Sequence, residues 1–135
     1  MRRWVLLSLA TVLLQGQGRE LGRPEIIPPE VLNLRDALAA DPKHYSVELE
    51  NDHMRVLRLT LKPGETVPVH DDKDALFVCL AAGLSKECSI RLTRPGGSPQ
   101  DIHLQAGQSR WIYADTRSEK NLGTKPLEIL VIETK

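Results

Sequence analysis

The sequence predicts an all-β domain, a small antiparallel barrel or sandwich, entered through a short helical arm. Three observations predict it. Apolar and polar residues alternate over Leu57, Arg58, Leu59, Thr60 and Leu61, as in a strand with one buried face. Short apolar stretches recur roughly every 8–12 residues with Gly, Pro or Asn turns between them, the rhythm of a sandwich or barrel. Past His44, no helix-length apolar pattern interrupts them. At 135 residues the chain suits one domain.

The elements follow in order. Residues 1–18 read as a secretory leader: Arg2 and Arg3 precede an apolar run from Trp4 to Leu14, and Gly16 and Gly18 offer small residues at a cleavage site. The run falls short of the roughly 20 apolar residues that span a bilayer. The reading implies export, to a periplasm or to the outside. Residues 19–44 form an arm punctuated by Pro24, Pro28, Pro29 and Pro42. Val31, Leu34 and Leu38 recur at helical spacing, which predicts one short helix from about Pro29 to Ala40, packed on the domain or on a second copy.

Residues 45–135 form the β domain. Asn51-Asp52 is a turn, and Pro63-Gly64 closes the strand over Leu57–Leu61. Ala75 to Ala81 is a near-continuous apolar run, too short for a typical helix. Ser89 to Thr93 forms the next strand, and Pro95-Gly96-Gly97 turns the chain. Ile102 and Leu104 mark a short strand before the Ala106-Gly107 turn. Arg110 to Ala114 is a strand with Trp111 and Tyr113 on one side. Leu127 to Ile132 is apolar on both faces, as in a central or closing strand.

The chain has two cysteines, Cys79 and Cys88. A two-residue hairpin loop at Gly83-Leu84 sets Ala82 opposite Ser85 and Cys79 opposite Cys88, and glycine first in that loop suits a type II′ turn. Counted outward, the cysteines fall at a non-hydrogen-bonded pair, where side chains come closer. Export permits a disulfide there. The alternative is two free, buried thiols.

Charge excludes some partners. The chain balances 18 basic against 18 acidic residues, and loss of residues 1–18 leaves 16 against 18, a formal charge of −2. There is no basic patch, so nucleic acid and anionic membrane lose their electrostatic basis. No nucleic-acid partner is expected, and no membrane contact once the leader is removed.

The stretch Pro63-Gly64-Glu65-Thr66-Val67-Pro68-Val69-His70 resembles the opening of the first cupin motif: glycine, five residues, His-x-His, three or four residues, Glu, six residues, Gly. Gly64, His70 and Gly83 fall in place, Asp72 stands at the second His, and Leu76 or Phe77 stands at the Glu. The second motif runs glycine, five residues, Pro-x-Gly, two residues, His, three residues, Asn. Gly107 fits its start, Tyr113 and Asp115 replace its Pro and Gly, and with a gap shortened by one Arg117 takes the His position and Asn121 the Asn. The resemblance covers about residues 45–135. It implies a cupin or jelly-roll barrel, a homodimer, and a site where metal-binding members carry three His and one Glu.

At those positions this chain offers His70, Asp72, a hydrophobe and Arg117. His70 and Asp72, two apart on a strand, face one way and could both ligate a divalent metal. Arg117 adds a fixed charge where the cation would sit, and two unit charges about 4 Å apart repel by about 4 kcal/mol at an effective dielectric near 20. The expected cofactor is therefore none, or a weakly bound divalent metal. Four readings of the site stand. Asp72 and Arg117 pair in place of the metal, leaving an empty structural barrel. Or the pocket binds a small polar or anionic ligand, with Arg117 clamping a carboxylate, His70 and Asp72 hydrogen bonding, and Trp111 and Tyr113 as a stacking wall. Or His70 and Asp72 hold the metal of an oxygenase or isomerase with a third ligand unplaced. Or His70 is a general base oriented by Asp72. The sequence leans towards a binding or accessory protein rather than an enzyme.

Overall fold

The computed structural model describes residues 35–135. The leader and most of the arm, including the first half of the helix expected from Pro29 to Ala40, lie outside the described residues. Within them the helix is one turn, α1 (Ala37–Ala40). Asp36 caps it, its carboxylate accepting the Ala39 N–H at 2.9 Å. Asp41, ahead of Pro42, leaves the helical region and ends it. Ala37 is buried. Arg55 ties this turn to the barrel, with Nη2 2.8 Å from Asp36 and Nε donating to Glu133 at 2.8 Å.

Nine strands follow: β1 (Tyr45–Glu50), β2 (Met54–Leu61), β3 (Thr66–Asp72), β4 (Ala75–Leu80), β5 (Glu87–Thr93), β6 (Gln100–Gln105), β7 (Ser109–Ile112), β8 (Asp115–Asn121) and β9 (Leu127–Thr134). They form a five-stranded sheet ordered β1-β2-β9-β4-β7 and a four-stranded sheet ordered β3-β8-β5-β6, and every strand-to-strand ladder is antiparallel. The alternation at Leu57, Leu59 and Leu61 holds: all three are fully buried on β2. β9 is the central strand its two apolar faces predict, flanked by β2 and β4. The last strand of the aromatic pair is shorter than expected. It covers Ser109–Ile112, and Tyr113 and Ala114 lie beyond its end.

The core fills from both sheets, with Leu59, Phe77 and Ile129 from one and Val67, Ile90 and Ile102 from the other. Among the described residues, no helix is long and apolar enough to cross a membrane.

Cys79 and Cys88 are joined as a disulfide, with Cα atoms 5.9 Å apart. Ala82 and Ser85 exchange both backbone hydrogen bonds, at 3.0 and 2.9 Å, and Gly83 sits at φ +60°, open to glycine and strained for L side chains. The strands part beyond that pair. Cys79 lies opposite Ile129 of β9, and Cys88 opposite Leu104 of β6. The bridge is therefore not the cross-strand pair that the hairpin count gives; it staples the two sheets across the core. Each strand finds a longer ladder in its own sheet than in the hairpin. Replacing both cysteines with alanine is expected to lower stability by about 2–3 kcal/mol, the entropy of so short a loop. Urea unfolding checks this, and a loss below about 0.5 kcal/mol would count against a formed bridge.

Candidate functional site

The site lies where β3 meets β8. β3 carries a bulge between Val67 and His70. It resets the two-residue alternation, so Val67 and His70, three apart, are both fully buried. Asp72 follows on the His70 face. On β8, Arg117, Glu119 and Asn121 alternate inward and are buried. His70 stands opposite Arg117 and Val67 opposite Glu119 in the ladder. Asn121, at the motif's Asn, is structural: its amide donates to the Leu61 and Lys125 carbonyls, both at 3.0 Å, and its oxygen accepts the Gly123 N–H at 2.7 Å.

Five polar side chains meet in this buried place. His70 Nδ1 lies 2.7 Å from the Pro68 carbonyl. A carbonyl only accepts, so Nδ1 carries a proton. His70 Nε2 lies 3.1 Å from Asp72 Oδ1 and 3.7 Å from Glu119 Oε1. A bare ring nitrogen facing two carboxylates would be repelled, so a proton belongs there too. Tyr45, buried at the start of β1, donates its hydroxyl to Glu119 and sets its ring edge-on to His70, centroids 6.0 Å apart. Arg117 Nη1 donates to the Tyr113 carbonyl at 3.1 Å. Its Nη2 lies 3.0 Å from Asp72 Oδ2 and its Nε 3.9 Å from Glu119 Oε2. The N–H directions miss both oxygens, so these are ion pairs without aligned hydrogen bonds. Arg117 Nε and Nη2, Asp72 Oδ2 and Glu119 Oε2 are left unmatched.

The electrostatics follow. Burial works against the His70 charge, but the Asp72 hydrogen bond and the Glu119 and Asp72 charges outweigh it and raise its pKa to about 9. Burial, then the Asp72 charge, pushes Glu119 upward, with His70, Tyr45 and Arg117 pulling it back. Burial and the two carboxylates also raise Tyr45 well above its ordinary range. With both carboxylates ionised, His70 and Arg117 balance Asp72 and Glu119; a proton on Glu119, whose pKa burial raises, leaves the cluster at +1.

The Asp72–Arg117 pair expected from opposite charges at two motif positions is present at 3.0 Å. At the motif's Glu position, Phe77 is fully buried in the core and Leu76 is half-buried. His70, Asp72 and Glu119 could offer a cation three donor atoms, all within 4.8 Å of one another. The charge does not fit. A divalent ion replacing the Nε2 proton would share Asp72 and Glu119 with the Arg117 guanidinium, and two cations held that close repel each other.

A cavity of about 310 Å³ opens at this end of the barrel. Arg117 forms part of its wall, as do Trp111 and Tyr113, which are 41% and 75% exposed. Arg94, Ser98, Gln100 and Asp115 supply further polar wall. His70 and Asp72 do not reach it. The five residues expected to share one pocket thus divide: Trp111, Tyr113 and Arg117 line the cavity, and His70 and Asp72 sit behind Arg117.

Sequence reading missed Glu119, Tyr45 and the second arginine, Arg94. One signal pointed to Glu119: placing Arg117 and Asn121 on one strand face puts residue 119 between them on that face. Nothing comparable marked Tyr45, whose contact with Glu119 spans most of the domain.

No family model matches the chain, and no curated protein matches it. Solved structures do. A cupin domain from Bordetella pertussis Tohama I is 20% identical, with 67% of this chain and 91% of that one covered and a TM-score of 0.57. A cupin 2 conserved barrel domain protein from Leptotrichia buccalis is 18% identical, with 67% and 40% covered and a TM-score of 0.50. Likeness at this identity concerns the fold.

Proposed function

This chain has the cupin fold, and on that premise we propose that it is an exported, non-catalytic domain that binds a small anionic ligand at the mouth of its barrel. A cluster of buried, paired charges takes the place of a metal centre. The observation that carries the reading is Arg117. It is a guanidinium on the cavity wall, with the more exposed Arg94 on the same wall, and guanidinium groups are suited to receiving a carboxylate.

The absence of a catalytic role rests on His70. Both its ring nitrogens are engaged, and it is screened from the cavity by Arg117. A general base must reach the proton it takes, directly or through one water. Export is supported by the leader read over residues 1–18 and by the disulfide, a bond that persists in oxidising compartments.

The test uses Trp111. The chain's two tryptophans are Trp4 and Trp111, so after leader removal Trp111 is the only one and reports on the cavity. Acetate, benzoate and D-glucuronate are titrated in turn, each against its neutral amide. The expected result is a saturable change in Trp111 emission for at least one carboxylate and none for its amide. Equal responses from acid and amide in every pair, or no response at all, would overturn the proposal.

A further inference from the structure

The outer face of the five-stranded sheet carries an apolar row across its whole width. Leu49 of β1 lies opposite Val56 of β2, and Val56 opposite Ile132 of β9. Ile132 in turn lies opposite Leu76 of β4, and Leu76 opposite Trp111 of β7. Residues directly opposite in a ladder share a face. Their chain neighbours Leu57, Phe77 and Val131 point into the core, so these five point out. Leu49 and Trp111, at the two ends of the row, are 49% and 41% exposed, and the three between them are half-buried. Leu130 and Val78, paired two residues along the same strands, widen the patch. Single exposed hydrophobes are ordinary, whereas a contiguous patch of this kind marks a surface that another surface covers.

We propose that a second copy of the chain covers this face, the two five-stranded sheets packing face to face about a two-fold axis that passes over Ile132. Symmetry is the first reason for a copy. The sheet order β1-β2-β9-β4-β7 puts Ile132 in the middle of the row, with two apolar residues on either side. Half a turn about an axis along β9 sets Leu49 on Trp111 of the second copy and Val56 on its Leu76. Half a turn about an axis along the row sets each of the five on its own counterpart. In both cases apolar meets apolar, the self-complementarity that a two-fold interface needs.

Charge is the second reason. Arg58, two residues along β2 from Val56, is held by Glu48 Oε2 at 2.8 Å and Glu128 Oε1 at 2.6 Å. It is already matched, so it is not free to draw an acidic partner or an anionic lipid surface. Area is the third. A face five strands wide and about six residues long measures about 24 by 20 Å. Two such faces cover about 1,000 Å² before the relief of side chains is counted, the size at which specific interfaces begin. Twisted sheets stack in this way with strand directions about 30° apart. Family likeness implies a homodimer without naming a surface; the strand register names one.

Sedimentation velocity of the secreted chain, from low to high micromolar concentration, tests this. A species of twice the chain mass is expected. Ile132→Arg is expected to weaken association about a hundredfold or more, because the axis sets the two arginines against each other. Leu84→Arg, on the Gly83 turn and 87% exposed, should leave association within twofold. Ile132→Cys, a replacement that keeps the position apolar, should form a disulfide between copies under mild oxidation, and Leu84→Cys should not. A wild-type chain that stays monomeric throughout would overturn the proposal and leave the face to the arm or to another protein. A dimer that survives in Ile132→Arg, or a dimer that Ile132→Cys does not cross-link, would overturn it by placing the contact on another surface.

Discussion

Replacing Arg117 with methionine is expected to destabilise the fold by about 3–5 kcal/mol, the usual cost of removing one member of a buried ion pair. The reason lies in what remains. Asp72 and Glu119 would share a buried site with His70 as their only cation. One carboxylate would then need a proton, so the loss should be smaller at pH 5 than at pH 8. Replacing Asp72 with leucine in the same chain removes the stranded charge. The double variant is expected to recover at least half of the loss, because apolar replacements of buried pairs are often close to neutral. Urea unfolding of the two single variants and the double variant measures both effects. A loss below 1 kcal/mol in Arg117→Met, or no recovery in the double variant, would mean that the cluster is not the coupled unit described.

Stability is also expected to fall as pH rises from about 6.5 to about 9. His70 is raised to about 9 in the folded protein against an ordinary 6.5. A cation held more tightly in the folded state contributes its full share below 6.5. That share is lost as pH passes through 9, up to about 3 kcal/mol at 1.36 kcal/mol per unit. Glu119 acts in the same direction: its raised folded pKa favours the protonated, folded form, and that advantage shrinks as pH rises above its ordinary 4.5. The lowered carboxylates Asp36, Glu48 and Glu65 work the other way, but only in acid, near and below their ordinary values. Melting curves from pH 6 to 9 should show the midpoint falling, and His70→Gln should flatten the slope. A wild-type midpoint constant across that range would contradict a buried imidazolium.

Much of this was legible in the sequence, for identifiable reasons. The Leu57–Leu61 alternation and the Gly83 turn are local signals, and local signals survived folding. His70 and Asp72 share a face because strand geometry puts them there. Counting from the Gly83 turn identifies the cysteine pair but not the geometry of its bridge. The count assumed one continuing hairpin, whereas β4 and β5 pair with β9 and β6 in separate sheets. Strand β8 was invisible as a strand. Its inward residues Arg117, Glu119 and Asn121 are polar, so the apolar alternation that marks other strands is absent. The bulge at Pro68-Val69 leaves no mark in composition. Yet it turns His70 inward and supplies the carbonyl that fixes its Nδ1 proton. Tyr45 depends on a contact 74 residues away in the chain, beyond what periodicity encodes.

The proposed reading puts a proton and Arg117 at the buried cluster where His70, Asp72 and Glu119 could otherwise hold a cation. Metal analysis by mass spectrometry tests it most directly, on untagged, secreted protein purified without chelator and again after dialysis against iron, manganese, zinc, nickel and copper. Metal far below one equivalent is expected in both samples, unchanged in Glu119→Gln. Near-stoichiometric metal that is lost in Glu119→Gln would contradict it, placing the ion between His70, Asp72 and Glu119 and requiring Arg117 to turn away.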